Sequence, residues 1–130
     1  MTTRLVQVGL VGLVLGLTAL AWAALRLPGR ELVRGHLGDV GIVMFLVAGF
    51  GLALPRLGPR AWIGLAALIA LGTEIMQALG VRGTGLLGEL TIGSTFDPFD
   101  LLAYAIGLAV SARWLRGAML TGSADPRSAR

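Results

Sequence analysis

The chain has 130 residues, of which 55% are apolar and only 14% charged, with a formal net charge of +4. A soluble domain of this size could not cover so much apolar surface, so composition points to lipid as the solvent and to a single compact unit. There is no cysteine, which excludes disulfides, thiolate metal sites and a cysteine nucleophile.

The first apolar run extends over residues 5–25, bracketed by Arg4 and Arg26. At about 1.5 Å per residue it is about 30 Å long, enough to cross a hydrocarbon core. It exceeds the usual core of a signal peptide, although Ala-Trp-Ala-Ala at 21–24 offers small residues, so it reads as a retained span. The second run covers residues 39–54 and is closed by Pro55 within the basic turn Pro-Arg-Leu-Gly-Pro-Arg. A third run follows at 61–79 and a fourth at 98–115, opened by Asp97-Pro98. The expected fold is therefore all-α: four transmembrane helices in an up-down antiparallel bundle forming one domain over 1–120, with a flexible tail at 121–130. Gly12 with Gly16, and Ala103 with Gly107, are spaced four apart, which lets helices approach closely in lipid.

Every basic residue is arginine, and their placement sets an expected orientation. Arg4, Arg56, Arg60, Arg113, Arg116, Arg127 and Arg130 fall on one side, and Arg26, Arg30, Arg34 and Arg82 on the other. The positive-inside rule then places both termini in the cytoplasm of a multi-pass inner-membrane (cytoplasmic-membrane) protein. Arginines at span ends anchor to lipid phosphates, so the positive charge does not argue for nucleic acid.

That topology gathers the unusual polar residues at one face. Asp39 starts the second span; Glu74 and Gln77 lie one turn apart near the end of the third; Asp97, Asp100, Tyr104 and Gly107 form a stripe on the fourth. Asp97 followed by Pro98 and an acid three residues on is a helix-start signature, so Asp97 reads as a cap. Asp39 and Asp100 are equally readable as helix-start acids. Glu74 cannot cap. In mid-span it must pair or be neutral. His36 and Arg82, on the outer loops, are within reach of the same place, although His36 alone reads as a loop histidine. No metal-binding motif or cofactor signature is present; a divalent cation shared by Asp39, Glu74 and Asp100 is nonetheless compatible with hard oxygen ligands. Gly83, Gly85, Gly88 and Gly93 punctuate a long loop whose middle, residues 86–92, is amphipathic.

The segments "GDVGIVMFL" (38–46), "EIMQ" (74–77) and "VRGTGLLGELTIGSTFDPFDLLAYAIG" (81–107) together resemble a bacterial membrane family called domain of unknown function 2809. The layout is also similar to VanZ-like proteins, in which a Glu-x-x-Gln helix precedes an arginine and an Asp-containing helix. The positions matching these patterns are Asp39, Glu74, Gln77, Arg82, Asp100 and Tyr104, the expected ligand-binding set. Asp97 has no counterpart in them, and the loop from Gln77 to Arg82 is shorter than in the family. The resemblance implies a role at the cell envelope, such as reduced glycopeptide or lipopeptide susceptibility.

The leading functional expectation is a non-enzymatic protein whose outward-facing polar pocket binds a charged lipid headgroup or lipid-linked envelope precursor. Arg82 would grip a phosphate while the acids hold ammonium or hydroxyl groups. The alternatives are a membrane-embedded hydrolase or transferase acting on a lipid-linked substrate, and a structural subunit packing against partner membrane proteins.

Overall fold

The computed structural model describes residues 1–25, 27–29, 36–81 and 97–122. Arg82, the glycine-rich loop with its amphipathic middle, and most of the expected tail lie outside the described residues. Among the described residues there are four helices and no strand: α1 (Thr2–Ala24), α2 (Gly38–Ala53), α3 (Pro59–Ala78) and α4 (Pro98–Gly122).

Sequence chemistry sets most helix ends. Pro55 cannot continue α2, and the chain turns back through Gly58, whose φ of +79° suits glycine. Pro59 then occupies the first position of α3, where its missing N–H is no loss. The Leu54 carbonyl, freed at the end of α2, accepts hydrogen bonds from the Leu57 amide at 3.1 Å and from the Trp62 indole at 2.8 Å. This clasps α2 to α3. At the far end of α3, Gly80 adopts φ +78°. Its amide donates to Gln77 O and that of Val81 to Met76 O, both at 2.9 Å. That pair of bonds is a Schellman closure, and it stops the helix just beyond Glu74 and Gln77. The fourth helix outlasts its apolar run, reaching Gly122. Alanine, methionine and leucine at 118–120 are good helix formers and carry it past the arginines.

Pairing follows from which residues meet. Leu5 packs on Gly51, Gly9 on Ala48, Gly12 on Gly41 and Ala19 on Gly38, so α1 and α2 run antiparallel. Val40 meets Gly107, Val43 clusters with Tyr104 and Val47 with Leu115, so α2 and α4 run parallel. Trp62 and Ala66 join Val47 and Leu115 while Ala70 joins Val43 and Tyr104, which makes α3 antiparallel to both. Helix α2 approaches all three others closely, whereas the α1 and α3 backbones do not, although Leu5 of α1 shares one apolar cluster with Trp62 and Ala66 of α3. The helix starts of α2 and α4 thus share one end with the helix ends of α1 and α3. Arg4, Arg56, Arg60, Arg113 and Arg116 occupy the opposite end.

Two backbone approaches hold this arrangement. A Cβ at Gly12 would lie 2.6 Å from the Gly41 carbonyl oxygen, and one at Gly41 would lie 2.7 Å from the Gly12 oxygen. On the other side of α2, a Cβ at Gly107 would lie 2.9 Å from the Val40 oxygen. Small residues are what permit such contact.

Outward, the molecule is apolar. Leu10, Val14 and Leu17 on α1 and Leu68, Leu71 and Ile75 on α3 are exposed. Helices α1 and α3 are long and apolar enough to cross a membrane, and only 22% of each crossing window is buried within the molecule. Exposed apolar surface on that scale needs a covering.

The glycine contacts separate two substitutions of equal chemistry. Gly12→Ala forces α1 off α2 and should destabilise by about 1–3 kcal/mol, the usual range for overpacking. Gly16→Ala meets nothing within 4 Å and should be neutral or slightly stabilising, since alanine is the better helix former. Thermal unfolding of the two purified variants checks this; equal melting would contradict the packing described.

Candidate functional site

At the shared end of α2 and α4 the chain enters α2 through a helical lead-in at residues 36–37. This puts His36 one turn before Asp39. No side chain caps α2 at Leu37, so Asp39 acts there as a first-turn acid. Being parallel neighbours, the first turns of α2 and α4 lie side by side, and the carboxyl groups of Asp39 and Asp100 come within hydrogen-bonding reach. Two acids at that range favour a positive or hydrogen-donating partner between them.

His36 is the nearest such group. Its Nδ1 lies 3.3 Å from Asp100 Oδ1 but is not aligned as a hydrogen bond and has no other partner. The imidazole also faces Phe99, with ring centroids 6.0 Å apart and planes tilted by 59°. The remaining groups come from deeper levels. Tyr104, one turn beyond Asp100, is nearly buried, and its hydroxyl lies beside both the Asp39 and Glu74 carboxyl groups. One hydroxyl proton serves only one acceptor at a time.

Glu74 is the most unusual member. Its residue is 2% exposed, and neither carboxyl oxygen has a hydrogen-bond partner of acceptable geometry. It lies within electrostatic range of Asp39, Asp100 and Asp97. Leaving a buried carboxyl group without bonds costs stability, and such a group in native proteins calls for an explanation in function or in a bound species. Gln77 follows one turn later, half-buried on α3.

Asp97 differs from the others. Its Oδ1 accepts the Phe99 amide at 3.0 Å, and its carbonyl accepts the Asp100 amide at 3.0 Å. It caps α4. Of the sequence-derived set, Asp39, Glu74, Asp100 and Tyr104 therefore converge, Gln77 borders them, and Arg82 lies outside the described residues. His36 is the addition. Its signal was the His-x-x-Asp spacing of 36 and 39, which places both residues on one face only if the helix starts before Gly38.

A lateral groove of about 280 Å³ adjoins the cluster, lined by His36, Leu37, Val40, Phe99, Ala103 and Ile106 among others. It runs from the polar end along the seam of α2 and α4, and the lining is apolar apart from His36.

Residues 29–108 match the family described as "Protein of unknown function (DUF2809)", and the chain belongs to that family. No curated protein and no solved structure was found to match it.

Capping and site chemistry are separable at Asp97. Asparagine caps nearly as well as aspartate, so Asp97→Asn should melt close to wild type, whereas Asp97→Ala should lose about 1 kcal/mol. Calorimetry or circular dichroism on the two variants reads the difference; an asparagine variant as unstable as the alanine one would mean that its charge, not its cap, matters.

Proposed function

We propose that this member of the DUF2809 family is a multi-pass inner-membrane protein, its four helices crossing as an up-down bundle, that binds the polar headgroup of a lipid or lipid-linked envelope precursor without transforming it. The observation that carries the reading is Glu74: a buried carboxyl group with no hydrogen bond of good geometry, near two aspartates and a tyrosine, in a cluster whose His36 also lines an apolar groove. A headgroup ammonium or hydroxyl supplies the donor that Glu74 lacks and a further partner for Asp39 and Asp100, and an acyl chain suits the groove. Tyr104 and Gln77 add neutral hydrogen-bonding capacity. Arg82 is the group of suitable chemistry for a phosphate.

The exposed apolar faces of α1 and α3 support the membrane setting. The arginine-rich end goes to the cytoplasm by the positive-inside rule, and the acid-rich end then faces outward. A protein that sequesters or masks an envelope lipid there would alter susceptibility to glycopeptides or lipopeptides.

Ligand retention tests the reading. Lipid extracted from protein purified in mild detergent should contain a species enriched over bulk membrane lipid. Glu74→Gln and Asp100→Asn should each weaken retention by about ten- to a hundredfold, the scale of one lost charge-assisted hydrogen bond, while Asp97→Asn retains it. Undiminished retention in the Glu74→Gln, Asp100→Asn double variant would sink the proposal, and a chemically altered lipid would replace binding with catalysis.

Orientation has its own test. Single cysteines at Gly35 and Gly83 should react with an impermeant thiol reagent in whole cells, and one at Gly58 should not. The reverse pattern would turn the polar end to the cytoplasm.

A further inference from the structure

We propose that His36, Asp39 and Asp100 form a binding site for a divalent transition-metal cation of the zinc class, with Glu74 as a buried carboxylate supporting it from beneath. The inference does not depend on lipid binding. One ligand atom from each of the three residues lies within 4.8 Å of the other two, the compass of a single coordination sphere. Tetrahedral zinc, with bonds of about 2.0–2.2 Å to imidazole nitrogen and carboxylate oxygen, spaces its donors about 3.3–3.5 Å apart. The His36 Nδ1 to Asp100 Oδ1 separation is 3.3 Å. That nitrogen has no hydrogen bond to give up.

Acidic clusters are common without a metal, and here a second observation points to one. Glu74, 2% exposed and with neither oxygen in a hydrogen bond of good geometry even though the Tyr104 hydroxyl lies beside it, lies within electrostatic range of the same aspartates from α3. Three carboxyl groups with no basic side chain among them, in the described residues, other than His36 repel one another whenever they ionise; a dication relieves that repulsion and gives the buried acid an electrostatic partner. An imidazole among the donors favours zinc, cobalt or nickel over calcium or magnesium, which take oxygen alone. The i, i+3 pairing of His36 and Asp39 fixes two donors on one turn of helix, and the Val40–Gly107 contact sets the third. Three protein donors leave a position for water.

The experiment uses the full chain in lipid-free detergent, stripped with chelator and titrated with zinc alone by calorimetry; cobalt provides an absorption readout of coordination geometry. Wild type should bind one equivalent. His36→Ala and Asp100→Asn should each lower affinity by about a hundredfold or more, and Glu74→Gln by about tenfold, as for a residue acting through the ligands. Asp97→Asn should bind as wild type does, and excess calcium or magnesium should not compete. His36 is partly exposed, so its removal leaves the packing intact, and a melting curve for each variant confirms folding. No stoichiometric binding by wild type, or an undiminished affinity in folded His36→Ala, overturns the site. Lipid retention is measured separately, so loss of either result leaves the other standing.

Discussion

The whole arrangement turns on how closely the backbone of α2 is approached from two sides. At Val40 and Gly41, consecutive residues, one peptide carbonyl abuts Gly107 of α4 and the other abuts Gly12 of α1. No side chain intervenes at either place, so the two neighbours are fixed by main-chain contact, the least yielding kind. Asp39 is the residue immediately before this double contact. Its position relative to Asp100 is set by the register at Gly107, seven residues into α4 from that acid, two turns of helix away. The chemistry at the polar end is therefore a consequence of glycine placement further in.

Much of this was legible in the residues. Glu74 stands out because it lies inside the third apolar run, where an acid cannot cap a helix start, and it is buried. Gly12 and Gly107 are readable as close-approach positions only from their four-residue spacing to Gly16 and Ala103, a pattern that background glycine in an apolar chain produces equally well. A Cβ at Gly16, by contrast, would meet nothing within 4 Å, although the Gly16 amide lies against Gly41; spacing does not say which member of a glycine pair has room for a side chain.

The harder distinctions were rotational. Asp39, Asp97 and Asp100 look alike as helix-start acids, yet only Asp97 bonds to the exposed amide of its own first turn. The difference lies in backbone position: Asp97 precedes its helix, while Asp39 and Asp100 lie within their first turns and point their carboxyl groups elsewhere. From sequence His36 reads as a loop residue because it precedes the second apolar run. The helical lead-in at 36–37 overrides that local reading, as tertiary packing often does.

The clasp between Trp62 and the Leu54 carbonyl gives the molecule a mechanical character. Asp39 and Glu74 sit at the free ends of one helical hairpin, like the tips of a pair of tongs whose pivot is the turn at 54–59. Over the roughly 24 Å of α2, each degree of opening at the pivot separates the tips by about 0.4 Å. The indole is the rivet that keeps the jaws at one spacing.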